Sequence, residues 1–188
     1  MPPQISEFHC PKIAKHLTQL LGHIVENVYG SPLDQLIPTL IEKPWKMQSG
    51  SASADRPRAT GYNDQGAEVA ASGLAAGLQY SASDMVRYVA HQLDEQDEAV
   101  ALSHKSTWDT LDKQQSIALF WIGSKVEGGR RLRYSGGTPG FTSFCDLYPD
   151  QKLGIVLLAN NSDEQAQDRL KKASESIVEA IRTSASQR

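Results

Sequence analysis

The stretch that most constrains the fold covers residues 134–160 and reads YSGGTPGFTSFCDLYPDQKLGIVLLAN. Residues 141–148 and 153–158 are apolar runs separated by Pro149-Asp150-Gln151-Lys152. Two such runs around a short polar segment predict a β-hairpin. Tyr134-Ser135-Gly136-Gly137-Thr138 predicts a small-residue turn at the edge of a strand, where a backbone approaches a ligand closely and presents its N–H groups.

Composition excludes several function classes. The 188 residues are enough for one unit with a core, and we expect one. The net charge is -3, and Lys and Arg are scattered along the chain, so the sequence lacks the basic footprint of a nucleic-acid-binding protein. No apolar run approaches the roughly 20 residues that span a bilayer, and Met1-Pro2-Pro3-Gln4 does not read as a leader.

Cysteines and histidines give no metal-binding or redox spacing. Cys10 and Cys145 are far apart, so two buried thiols are the simplest interpretation, and a disulfide requires an oxidising compartment. His9, His16 and His23 recur at steps of seven and share a helix face, but zinc sites use tighter spacings. We therefore predict no metal and no cofactor.

The first half of the chain has helical periodicity. Residues 10–29 predict an amphipathic helix. Ser31 as N-cap and Pro32 as first residue predict the start of a second helix, which Pro38 kinks or splits. Residues 48–71 show no sustained period and read as a long surface excursion, before order resumes with the small-residue turn 72–77. Ser81-Ala82-Ser83-Asp84 predicts a capped helix through Leu93, with a shorter helix over 94–104.

After Trp108 the period changes to two. Residues 117–122, 131–134, 141–148 and 153–158 are predicted strands, and Asn160-Asn161-Ser162-Asp163 predicts the cap of a last helix. The predicted fold class is α+β: a helical N-terminal half, an antiparallel β-meander and a covering C-terminal helix. Residues 1–105 form its mainly helical part, and residues 106–188 form the sheet with that helix.

Three separated stretches carry a resemblance to a known family. The first is residues 21–33 with Glu42-Lys43-Pro44-Trp45-Lys46-Met47, the second is 59–62 with 73–88, and the third is 134–141 with 153–160. In this order they resemble the serine β-lactamase and penicillin-binding protein superfamily over roughly residues 15–180. The class C β-lactamase-like branch, with its D-alanyl-D-alanine carboxypeptidase and esterase relatives, is the most similar.

The resemblance implies an acyl-enzyme mechanism and a substrate-binding strand. In the family a serine of a Ser-x-x-Lys helix attacks an amide or ester, a Tyr-x-Asn element assists proton transfer, and a Lys-Thr-Gly-type strand holds the substrate. Matched by position, Ser135 and Gly136 fall in the part of that strand that grips substrate, and the Gly137 N–H falls where an oxyanion donor is expected. Tyr134, Ser135, Gly136, Gly137 and Thr138 are therefore the candidate substrate-binding residues.

The sequence departs from the family at the catalytic groups. No serine has a lysine three positions later, and Tyr-x-Asn is absent; Ala14-Lys15-His16 stands where Tyr-Ser-Asn is expected. Tyr134 occupies the Lys or His position, and a phenol with a pKa near 10 donates a hydrogen bond without supplying a fixed positive charge. We therefore assign no catalytic residue.

The resemblance also implies a partner. The family places the Ser-x-x-Lys helix and two N-terminal strands ahead of the matched stretches, and those strands pair beside the C-terminal part of the sheet. We expect an unpaired apolar sheet edge that associates with a second copy of the chain or with a separate polypeptide. The resemblance alone implies the cell envelope as location.

Three functions follow from these residues. The first is a serine hydrolase portion that is inactive alone because its nucleophile is absent. The second is a non-catalytic module that keeps the groove for a peptide, cell-wall fragment or protein. The third is an unrelated chemistry that uses Tyr134, Ser135, Lys15 or His16; adjacent side chains on a strand point to opposite faces, which argues against a Tyr134–Ser135 pair.

Overall fold

A computed structural model of the chain describes residues 11–48, 50, 58–69 and 78–186, with side-chain surroundings described within 19–184. Contacts divide the chain into two compact units, residues 1–44 and 45–188. The predicted small-residue turn 72–77, Cys10 and His9 lie outside the described residues, as do the side chains of Lys15 and His16.

The first unit is helical, as its periodicity predicts. Helix α1 spans Pro11–Tyr29 and is followed by Gly30 at a φ of 63°. Helix α2 spans Leu33–Ile37, and a π-helical turn spans Pro38–Glu42. The predicted split at Pro38 is confirmed, but the predicted Ser31 cap is wrong: Pro32 takes the capping position, and Oε1 of Glu26 accepts from the Leu33 N–H at 3.0 Å.

The second unit begins with a small hairpin and two capped helices. Strands β1, Gly61–Tyr62, and β2, Glu68–Val69, pair within the region predicted as an irregular excursion. Helix α3 spans Ala82–Gln92, and its predicted cap is confirmed because the Ser81 side chain accepts from the Asp84 N–H. Helix α4 spans Glu98–His104.

One antiparallel sheet of six strands follows, in the sequence order β3-β4-β5-β6-β7-β8. The meander and the α+β class are as predicted. The predicted strand over 117–122 is wrong, because Ala118–Trp121 is a turn between two strands. The strands are β3 Trp108–Asp109, β4 Gln115–Ile117, β5 Ile122–Val126, β6 Gly129–Thr138, β7 Phe141–Tyr148 and β8 Leu153–Ala159.

Helices cover both faces of this sheet. Helix α5, Ala166–Ser186, packs on β7 and β8, and Val178 joins Tyr148 and Ile155 in one buried cluster. Helix α3 packs on β8 at the other face, where Val89 joins a cluster with Trp121, Leu132, Cys145 and Leu147. Cys145 is a free, buried thiol. Across the described residues, no helix combines the length and apolar character that crossing a membrane requires.

Candidate functional site

The candidate residues form the second half of strand β6. Strand β5 pairs with β6 only as far as Ile122 and Arg133, whereas β7 pairs with β6 from Leu132 through Thr138. Within the described chain, residues 134–138 therefore have a neighbouring strand on one side only. The prediction of a turn here is wrong: Ser135 to Thr138 are extended, and the turn is Pro139-Gly140.

Hydrogen bonds at the β4–β5 turn fix which peptide groups face the open side. Ala118 and Trp121 exchange backbone bonds of 2.9 and 3.1 Å. Bonded and non-bonded pairs alternate along an antiparallel ladder, so the peptide groups of the next residue, Ile122, face β6. Arg133, the β6 partner of Ile122, therefore directs its own peptide groups toward β5.

The same alternation continues along β6. Since Arg133 faces β5, the peptide groups of Tyr134 face β7, and those of Ser135 and Gly137 face the open side. No backbone bond from the part of the chain that the structure describes reaches Ser135 or Gly137 on that side. Two N–H and two C=O groups, the pattern that pairs with an extended peptide, are thus exposed along the strand.

Side chains divide this strand between two environments. The Tyr134 side chain is 49% exposed and meets Trp121 edge to face, with the ring centroids 6.5 Å apart. Ser135 points to the opposite face, the one that carries Arg133 and helix α5, because side chains alternate along a strand. The side chains of Tyr134 and Ser135 therefore lie on opposite faces of the sheet, which argues against proton transfer between them.

Strand β1 makes backbone hydrogen bonds to the turn that follows the C-terminal end of β6. The Tyr62 N–H donates to the carbonyls of Gly140 and Asn160 at 3.3 and 3.1 Å, and the Gly140 N–H donates to Oγ of Ser162. Gly140 has a φ of 83°, and a Cβ there would lie 2.9 Å from Cα of Gly61. This turn therefore requires glycine both for its conformation and for its close approach to β1.

The groups beneath Tyr134 are uncharged at neutral pH. Burial raises the pKa of Tyr88 to about 12, with smaller contributions from Cys145 and Tyr134. Burial also raises the pKa of the Cys145 thiol to about 12, with a contribution from Asp146. The surroundings of Tyr134 therefore do not replace the cation that the family's strand carries at its position.

Trp121 also contacts His104, which pairs with the carboxylate of Glu95. His104 is buried, its Nδ1 lies 2.8 Å from Oε1 of Glu95, and its ring meets Trp121 edge to face. Burial lowers the pKa of His104 and outweighs the opposing effect of Glu95, which also pairs with Arg130. His104 was not among the candidates, because a lone histidine in helix α4 carries no motif.

The tip of the β4–β5 hairpin was also missed. Leu119 and Phe120 are 55% and 52% exposed, and Phe120 has a φ of 62°. The run IALFWI, residues 117–122, contains no turn-forming residue, so the sequence predicts a strand where the chain reverses. In the described residues no group of three or more His, Cys, Asp or Glu side chains is arranged to hold a metal ion.

The chain is similar to known proteins over most of its length. The sequence matches the Beta-lactamase family over residues 16–178. A search among curated proteins found no match.

Solved structures share the fold at low identity. A class C β-lactamase from Rhodobacter sphaeroides superposes with a TM-score of 0.74 and 21% identity, over 86% of this chain and 58% of that chain. A β-lactamase from Sulfitobacter sp. EE-36 gives 0.71 and 21%, over 86% and 57%. A β-lactamase/D-alanine carboxypeptidase from Pseudomonas syringae gives 0.68 and 18%, over 76% and 52%.

This chain therefore spans a little over half the length of these structures. The family match covers most of the 188 residues and includes the open strand. The chain belongs to the Beta-lactamase family.

Proposed function

We propose that Tyr134 to Thr138 form the ligand-binding strand of a β-lactamase-type acyl-transfer site, and that these 188 residues do not form an acyl-enzyme by themselves. The observation that carries the proposal is the open side of β6, where the peptide groups of Ser135 and Gly137 have no strand partner in the described chain. The absence of any Ser-x-x-Lys sequence supports its second half.

Each residue of the strand then has a distinct role. The peptide groups of Ser135 pair with the extended backbone of the ligand. The Gly137 N–H donates to the ligand carbonyl, and such a donor stabilises an oxyanion when a nucleophile attacks. The Tyr134 hydroxyl offers a neutral hydrogen bond at the ligand's edge. Gly136 and Thr138 keep the strand extended as far as the Pro139-Gly140 turn.

The first experiment tests acylation. The chain is incubated with a fluorescent penicillin and analysed by denaturing electrophoresis, and we expect no labelled band. A labelled serine would contradict the absence of a nucleophile. We expect the protein to bind the ligand non-covalently even without acylation, so the second experiment measures binding.

The second experiment tests the strand itself. Amide chemical shifts are followed by NMR while a peptidoglycan stem peptide is added, and we expect the Ser135 and Gly137 amides to shift. Gly137→Pro removes the proposed donor and weakens binding. Gly137→Ala is the matched control, since it also adds a Cβ, 3.3 Å from the Phe141 carbonyl oxygen, but keeps the N–H. Equal binding by both variants would remove Gly137 from the site.

A non-catalytic binding module is the second candidate function. It is favoured by Tyr134, which supplies no cation, together with the missing nucleophile. Millimolar binding of the stem peptide by the isolated chain supports this candidate. An unshifted thermal transition at millimolar peptide would contradict it.

Strand β8 is our proposed partner edge. In the described chain it pairs with β7 alone, its residues Leu153–Ala159 include no charge or proline, and Leu158 is 44% exposed. Charges and prolines are the usual protection of an edge strand, so we propose that two copies pair through β8. Light scattering should show a dimer, and Leu158→Lys should give monomers; a wild-type monomer at high concentration contradicts this.

A further inference from the structure

An apolar rim borders the open side of β6. Strand pairing between β5 and β6 ends at Ile122 and Arg133. The next residue on each side of that pair is Trp121 or Tyr134, and the rings of these two residues are in contact. Leu119 and Phe120 close the β4–β5 hairpin beyond Trp121. The hairpin tip therefore lies beside β6 where its open stretch begins.

The tip is unusual for a hairpin turn. Leu119 and Phe120 are both more than half exposed, and two adjacent large apolar side chains are poor residues for a turn in water. Phe120 is held at a φ of 62°, a conformation that bulky side chains rarely adopt. Strain of this kind in an exposed apolar residue is typical of sites that contact a ligand.

The rim and the strand are free of formal charge. Residues 118–121 and 134–138 read ALFW and YSGGT and include no Lys, Arg, Asp or Glu. Tyr88 and Cys145, beneath Tyr134, are neutral because burial holds both pKa values at about 12. A ligand carboxylate at this rim would lose hydration without gaining a charged partner from these described residues.

We propose that the strand binds a neutral acyl compound with an aromatic or branched aliphatic side group, which packs between Phe120 and Tyr134. This inference rests on the proposed function, because the ligand's backbone pairs with the peptide groups of Ser135 and Gly137. It refines the substrate class: an ester or amide without a free carboxylate beside the reacting carbonyl binds this strand more tightly than a ligand that carries one, such as the stem peptide. Tyr134 contributes ring surface and a hydroxyl in place of a cation.

Two probes that share the N-acetyl-phenylalanine body and end in a neutral amide or a carboxylate test the substrate class. N-acetyl-phenylalanine N-methylamide and N-acetyl-phenylalanine are titrated into the wild-type chain, and the Ser135 and Gly137 amide shifts give their Kd values. We expect the neutral probe to bind tighter by about fivefold or more. Tyr134→Lys supplies a cation and should shift the ratio by about fivefold toward the carboxylate probe, a typical effect of an exposed ion pair.

Two variants test the rim. Phe120→Asn removes the ring but suits the left-handed backbone, so the chain stays folded while the neutral probe loses about fivefold in affinity. Leu111→Asn is the matched control, because Leu111 is fully exposed in the β3–β4 connection.

The outcomes separate this inference from the proposed function. If the carboxylate probe binds as tightly as the neutral one while the Ser135 and Gly137 amides shift, the strand binds ligand and the neutral substrate class is wrong. If Phe120→Asn binds like wild type, the rim has no role and the inference fails. If neither probe shifts those amides at millimolar concentration, the inference and the proposed binding strand both fail.

Discussion

The two faces of strand β6 differ in how they use charge. On the α5 face, Arg133 makes two bonds to the buried carboxylate of Asp146, from Nε at 2.7 Å and from a terminal nitrogen at 2.8 Å, and Ser174 of α5 donates to the same carboxylate at 2.8 Å. On the α3 face, Tyr134 lies near the rings of Trp121 and Tyr88 and the neutral thiol of Cys145. Arg133 and Tyr134 are adjacent in the strand.

This difference shows which face of the sheet holds a buried charged group. A buried carboxylate needs its full set of partners, and the α5 face provides them from two elements, β6 and α5. Among the described residues, the groups around Tyr134 on the α3 face are rings and a thiol and provide no such set. The proposed ligand strand is then anchored through one face and presents neutral surface on the other.

Removing Asp146 should produce the largest effect. Asp146→Ala leaves the mostly buried Arg133 without its bidentate partner, and breaking a buried ion pair on one side costs about 3–5 kcal/mol. Urea unfolding of the variant measures the loss. The double variant Asp146→Leu with Arg133→Met should recover much of the stability; equal destabilisation in both would mean that packing, not charge, anchors α5.

Adding a methyl group on the α3 face should have the next largest effect. A Cβ on Gly154 would lie 2.1 Å from Cγ1 of Val89, so Gly154→Ala should cost about 1–3 kcal/mol in unfolding free energy by overpacking. Val89→Ala in the same chain makes room, so the double variant should lose less than the sum of the single variants. Strict additivity would show that α3 does not pack tightly on β8.

Protonation of His104 should give the smallest effect. Its pKa is lowered in the folded chain, chiefly by burial, from the model-compound value of 6.5. The folded state therefore binds the proton less well than the unfolded state, so the contribution of His104 to stability is complete above pH 6.5 and is lost as the pH falls below it toward the folded-state pKa.

Unfolding free energy measured between pH 7.5 and 5 checks this sign. His104→Gln should flatten the slope below pH 6.5. His23→Gln is the control, because the His23 side chain is 75% exposed, and it should leave the slope unchanged. A stability that rises on acidification would mean that Glu95, which lies beside His104, dominates its titration.

Local signals in the sequence predicted several elements well. Strand β7 matches the predicted apolar run over 141–148, and Ser81 caps α3 as its spacing indicated. The run around Ile117 and Trp121 was misread because its reversal at Leu119 and Phe120 contains no glycine, proline or asparagine. Ser135 to Thr138 were read as a turn because their small side chains favour turns, yet pairing with β7 holds them extended.

The sequence by itself determined the order of helices and strands, the family, the missing Ser-x-x-Lys motif and the five residues of the candidate strand. Periodicity, caps and motifs are local, and so a single chain of letters carries them. Only the tertiary structure decided that β5 begins at Ile122, that the peptide groups of Ser135 and Gly137 face an open side, and that the Trp121 ring contacts Tyr134 at the start of that open stretch. Those facts depend on strand register, which is set by pairing between residues far apart in the chain.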